Sequence, residues 1–265
     1  MDNLKNPHQM FDISGKVAVV TGATGAFGSV AARILAGANC KLVLAGGNLN
    51  ALESLATELK SDGADVVCVN RRPNTPQHCQ AIVQQAVDSF AQLDILVVAS
   101  GMNDVALIEE MEVERFERVM QANVTDSWLM SQAAGKQMIA QGGGGKVVLV
   151  SSARGKLGHP AGYSAYCSSK HAVNGITKAL GCEWGKYGIT VNALAPTVFR
   201  SDLTAWMFAD DERGTATREG MLARIPVGRL GEPEDLAGPL LFLVSKASDF
   251  HTGHILYADG GYTAG

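Results

Sequence analysis

A chain of 265 residues, 46% hydrophobic and 18% charged, can bury one full core, and no linker, repeat or low-complexity tract divides it. Its net charge of −4 comes without a basic cluster, which argues against nucleic acid as a partner. No apolar run approaches the roughly 18 residues that span a bilayer, and residues 1–7 lack a signal-peptide core. The expectation is a soluble, cytoplasmic protein of one domain, 1–265, with its core over 11–262.

Apolar runs of strand length fall near 16–21, 40–45, 65–70, 94–99, 146–151, 189–194 and 254–258. Helical patterns are expected between them, near 26–37, 48–61, 76–91, 113–140, 164–187 and 233–245. This alternation predicts an α/β fold, a doubly wound parallel sheet of seven strands (Rossmann type) with helices on both faces and ligands at the carboxyl ends of the strands.

The first run is followed by Thr21-Gly22-Ala23-Thr24-Gly25-Ala26-Phe27-Gly28 and a helix start. Strand, glycine turn and helix in that order let backbone N–H groups and the helix dipole meet a pyrophosphate, so this is read as a dinucleotide site. The second strand ends in Ala45-Gly46-Gly47-Asn48, the third in Asn70-Arg71-Arg72 and the fourth in Val98-Ala99-Ser100-Gly101. The run 142–145 is four glycines, read as a turn, and the fifth strand leads into Ser151-Ser152.

Tyr166 and Lys170 lie four apart in the helix expected over 164–184, so they share a face, and a cation beside a phenol favours phenolate. Such a tyrosine suits proton transfer, with Ser152 able to hydrogen-bond a substrate oxygen. Tyr163 is a rival but has Cys167, not lysine, four residues on; Ser151 rivals Ser152. His159 is read as a surface loop residue. The stretch 197–224 is long for a loop and carries Leu203, Trp206, Met207 and Phe208, which suggests a lid. Five scattered cysteines show no metal-ligand spacing and are expected to be reduced, Cys167 among them as a small helix filler.

From about Phe11 to Tyr262 the order of these parts resembles the short-chain dehydrogenase/reductase family, in its compact single-domain branch. Asn123 in Gln121-Ala122-Asn123-Val124, the run Asn192 to Pro196, and the ending Thr252 to Gly261 extend the resemblance. It implies hydride transfer between a nicotinamide and a carbinol or carbonyl carbon. Tyr166 would be the acid/base, Lys170 would lower its pKa and hold the nicotinamide ribose, Ser152 would stabilise the oxyanion, and Asn123 would hold a water. In the family twelve residues separate the serine from the tyrosine; here thirteen separate Ser152 from Tyr166. The cofactor would be NAD(P), held by Gly22, Thr24, Ala26, Phe27 and Gly28 in the first turn, and by Gly47, Asn48 and Arg71 on the adenosine side. Gly101, Tyr166, Lys170, Pro196, Val198 and Ser201 would surround the nicotinamide half.

Neither a carboxylate nor an arginine ends the second strand, and Arg71 or Arg72 is available to meet a 2′-phosphate, so NADP is favoured. The tail from Ser245 to His254 looks like that of gluconate 5-dehydrogenase-like enzymes, which makes a sugar acid or polyol the first substrate reading. The segment Gly228 to Asp235 also fits a 3-oxoacyl-[acyl-carrier-protein] reductase, and a non-catalytic nucleotide-binding homologue is the reading from another class. Arg200 is weighed as a carboxylate clamp and set behind a solvent-facing role. A homotetramer, or a dimer, is expected through helices 113–140 and 164–187 and the segment 257–265.

Overall fold

The computed structural model describes residues 4–265. Seven strands, β1 (Val17–Thr21), β2 (Lys41–Ala45), β3 (Val66–Val69), β4 (Ile95–Val98), β5 (Gly145–Val150), β6 (Ile189–Pro196) and β7 (Ile255–Ala258), form one sheet in the order β3-β2-β1-β4-β5-β6-β7. Every pairing is parallel. The strands are near-continuous apolar runs because both faces are covered: all five residues of β1 are buried, as are all four of β4.

Alternate residues feed two cores. Ala18 and Val20 pack with Leu35 of α1 (Ala26–Gly37), Leu52 and Leu59 of α2 (Leu49–Ser61), and Leu240 of α8 (Ala237–Val244). Val17 and Val19 face the other way, toward Ile82 of α3 (Pro76–Phe90), Met130 and Met138 of α5 (Asp126–Gln141), and Val173 of α6 (Ser164–Trp184). Burying each such side chain contributes about 1.5–3 kcal/mol, so the alternation fixes which face each helix covers. The chain reverses its direction of travel across the sheet between β1 and β4, and that point opens the crevice in which the candidate site lies.

Three helical expectations are refined. The helix expected over 113–140 is two, α4 (Val113–Met120) and α5, joined by a π-turn at Gln121–Thr125. The stretch expected over 164–187 is α6 followed by a 3-10 turn, Gly185–Tyr187, and α8 is likewise preceded by a 3-10 turn, Pro233–Leu236. The stretch 197–224 is not a loop: it folds as a 3-10 turn, Ala205–Phe208, and α7 (Glu212–Leu222). Only Gly214 of α7 is buried, so its sequence shows no apolar stripe from which a helix is legible. What starts it is Asp211, whose carboxylate accepts from the Gly214 N–H at 2.6 Å.

Candidate active site

The turn after β1 requires glycine twice. Gly22 has φ +62°, and a Cβ there would lie 2.6 Å from the Ser100 backbone. A Cβ on Gly28 would overlap the Gly22 carbonyl oxygen. The turn is therefore drawn tight against α1, whose N-cap Gly25 offers no side-chain acceptor to the first N–H groups of the helix. Those donors, on Ala26, Phe27 and Gly28, make an anion cradle fit for a pyrophosphate. Phe27 can contribute only backbone, because its ring is buried in the core, while Thr24 is exposed at the rim.

At the end of β2 the two glycines differ. A Cβ on Gly46 would touch Leu52, inside the α2 packing, whereas one on Gly47 would overlap the Arg72 side chain at Nε. The side chain that fills this position is thus Arg72, whose atoms are the three nearest to a Cβ built on Gly47. Asn48 is engaged as the cap of α2, its side-chain oxygen accepting from Ala51 N–H at 3.2 Å. The end of β4 is braced to β1, where the Ser100 hydroxyl meets that of Thr21 at 3.2 Å.

Asn123 sits in the π-turn, buried, and holds the end of β4 to α6. Its Oδ1 accepts from Met102 N–H at 2.7 Å, and its Nδ2 donates to the Met102 carbonyl at 2.8 Å and to Ser169 Oγ at 2.9 Å. Ser169 in turn donates to the Tyr166 carbonyl at 2.7 Å. Gly101 must be small, since a Cβ there would come 2.8 Å from Asn123 Oδ1 and 3.9 Å from Lys170 Nζ.

On α6, Lys170 Nζ lies 5.6 Å from the centre of the Tyr166 ring and donates to the Val150 carbonyl at 2.8 Å. Burial lowers the Lys170 pKa from 10.5 to about 8. Burial also pushes the Tyr166 phenol up, opposed by the neighbouring Ser152 hydroxyl and by the cation of Arg154. Arg154, two residues after Ser152, is thus a second cation acting on the phenol beside Lys170, and nothing else in the sequence marks it.

The rivals separate cleanly. Ser151 is buried and donates to Asn174 Oδ1 at 2.6 Å, so it is structural, while Ser152 caps the turn Ala153–Gly155 and faces the phenol. Tyr163 stacks on His159, with ring centres 4.5 Å apart, and meets Tyr166 edge-on at 6.3 Å. Cys167 points its thiol at the Leu157 carbonyl, as a helix filler would.

Beyond β6, which ends at Pro196, the segment with α7 docks on the serine loop. Phe208, Met221 and Leu222 pack with Val198, Leu157, Ala153 and Tyr262, so the apolar wall is Phe208; Trp206 stays outside, with Arg213 over its ring. Ser201 is engaged with Thr204, hydroxyl to hydroxyl at 2.9 Å. Arg200 pairs bidentately with Glu232 at 2.9 and 3.2 Å and covers the Phe208 ring, so it is not free to clamp a substrate. Among the described residues no group of three or more metal-ligating side chains occurs, and no helix is long and apolar enough to cross a membrane.

Comparison with known proteins shows the family. The family model described as "Enoyl-(Acyl carrier protein) reductase" matches residues 22–263. An uncharacterized oxidoreductase of Mycobacterium tuberculosis is 54% identical over 254 residues, covering 96% of this chain and 93% of that protein. The 2-dehydro-3-deoxy-D-gluconate 5-dehydrogenase of Escherichia coli is 35% identical over 259 residues, covering 96% and 98%. Among solved structures, a gluconate 5-dehydrogenase from Burkholderia cenocepacia in complex with NADP and tartrate superposes with a TM-score of 0.87 at 29% identity, over 97% of this chain and 98% of that one. A phenol, a serine and a buried lysine gathered beside a glycine cradle, on a chain matched along nearly its whole length, make this protein an oxidoreductase of the short-chain dehydrogenase/reductase family.

Proposed function

We propose that this protein interconverts a secondary alcohol and a carbonyl on a sugar acid or polyol, using NADP in preference to NAD. The observation that carries the reading is the gathering of Ser152, the Tyr166 phenol and the buried Lys170, whose Nζ lies 5.6 Å from the phenol ring centre, at the strand ends beside the Gly22–Gly28 cradle. A bound nicotinamide would supply or take the hydride at its C4 carbon. Tyr166 exchanges the proton with the substrate oxygen, donating in reduction and accepting as phenolate in oxidation. Ser152 holds the same oxygen and stabilises charge that develops on it. Lys170 provides a positive field and, by the family resemblance, hydrogen bonds to the ribose. Asn123 is a positioning residue, since both of its amide hydrogens already bind Met102 and Ser169. The lean to NADP rests on Arg72 over Gly47 and on the lack of a carboxylate at position 46 or 47.

The sugar-acid reading draws support from relatives named for gluconate derivatives. The segment Gly228 to Asp235 has a structural explanation that is silent on substrate: Arg229 pairs with Asp235 at 2.6 and 2.7 Å, and Glu232 and Asp235 form a capping box. A panel of sugar acids, polyols and an acetoacetyl thioester, assayed with NADP and NADPH, tests the reading. Tyr166→Phe should cut turnover by roughly 10²–10⁴-fold while NADPH binding persists. A variant turning over at the parent rate would sink the assignment.

Assembly as a homotetramer belongs to the same proposal. A groove between α5 and α6 is lined by Trp128, Ile139, Leu180 and Trp184, and Trp128 is 46% exposed, a surface that a second copy would cover. Light scattering at micromolar concentration should find no stable monomer, and a monomer would refute it.

A further inference from the structure

Around the serine loop, positive charge gathers without an acid to meet it. The Arg154 guanidinium donates to the Gly158 carbonyl at 3.0 Å and to the Tyr262 hydroxyl at 2.9 Å, which leaves three of its five N–H groups free. Arg224, at the end of the lid segment, lies over the same Tyr262 ring, 4.3 Å from its centre, with Arg154 at 5.4 Å. Lys156 reaches the Thr263 carbonyl at 2.7 Å. No ion pair among the described residues involves Arg154, Arg224 or Lys156. Asp259, three residues before Tyr262, is occupied in accepting from Gly261 and Thr263 N–H at 3.0 Å each. His159 feels both arginines, which with burial hold its imidazole below the ordinary value. The cluster borders the chemistry: Arg154 follows Ser152 by two residues and its charge is felt at Tyr166, while His159 and Tyr163 lead ring to ring back to that phenol.

We propose that Arg154 and Arg224, which meet over the buried Tyr262, form a two-pronged clamp for a carboxylate on the substrate while the carbon bearing the reacting oxygen lies at Ser152 and Tyr166. Arg154 stands at the hydroxyl end of Tyr262 and Arg224 against its ring, and two planar guanidiniums that meet at one side chain match a planar carboxylate, which a charge-assisted contact holds in position and orientation. The clamp joins the serine loop, which carries Arg154, to the segment docked on it, which carries Arg224. This assignment rests on the substrate being an acid and specifies which residues recognise it.

The test is calorimetric binding of D-gluconate and of L-tartrate to the full chain saturated with NADPH, which cannot accept a hydride from these alcohols, with D-glucitol as the neutral control. Parent protein should bind the carboxylates, and both Arg154→Met and Arg224→Gln should weaken them by roughly 10–100-fold, as expected for loss of a charge-assisted contact. Arg154→Lys should recover part of the loss at Arg154. Because Arg154 also steadies Tyr262, NADPH fluorescence titration checks that each variant keeps its fold, and Arg224, with no side-chain hydrogen bond in the structure, gives an independent reading. Equal carboxylate binding by parent and both variants would overturn the clamp, as would D-glucitol binding as tightly as D-gluconate. Carboxylate binding that needs both arginines, in a protein that oxidises no sugar acid, would keep the clamp and refute the proposed function.

Discussion

Replacing Lys170 with methionine should make the protein more stable and inactive. Lys170 is 6% exposed, its one hydrogen bond runs to the Val150 carbonyl, and burial lowers its pKa from 10.5 to about 8. The folded-state pKa is below the unfolded one, so between pH 8 and 10.5 the unfolded chain binds more protons. The cost of burying the charge is therefore fully present below about pH 8 and is relieved as pH rises toward 10.5. Converted at about 1.4 kcal/mol for each pKa step, the gap amounts to about 3 kcal/mol. Methionine removes that cost and fills similar space, but leaves the Val150 carbonyl without its partner, a loss of about 1 kcal/mol. At pH 7 the variant should gain about 2 kcal/mol, and the gain should vanish by pH 10.5. Urea unfolding at fixed protein concentration, at pH 7 and pH 10, measures both values, because a change in midpoint at constant slope reports stability. A variant with a lower midpoint at pH 7 and an unchanged slope would refute the reasoning. Stability gained by removing a functional group is the expected trade at a site that holds a buried charge for chemistry.

Two further outcomes concern the cofactor cradle. Gly28→Ala puts a methyl group into the Gly22 carbonyl oxygen, so the turn must open; about 1–3 kcal/mol of stability and at least about tenfold in NADPH affinity should be lost, and a fluorescence titration matching the parent would count against the cradle. Arg72→Ala should weaken NADPH by about tenfold and leave NADH unchanged, whereas Gly47→Asp, beside Arg72, should favour NADH; parent protein that binds NADH a hundredfold more tightly than NADPH would show that another group sets the choice.

The fold was legible because its signals are local. Seven apolar runs separated by helical patterns can bury their faces only as a parallel sheet with two helix layers, and the observed strands fall within a residue or two of the expected runs. Tyr166 and Lys170 were legible for the same reason, since four residues on a helix bring two side chains onto one face whatever surrounds them. Other features depend on groups distant in sequence. Ser152 is separated from Ser151 only by Asn174, 23 residues on, which takes the first hydroxyl. Arg72 is chosen over Arg71 by the space above Gly47, and Gly46 is excluded from that role by Leu52. Arg154 and Arg224 meet on a tyrosine near the end of the chain, and no pattern along the sequence records that meeting. Periodicity specifies which residues are buried together; which polar groups are used up, and which are left free to act, is decided only when the fold brings their partners to them.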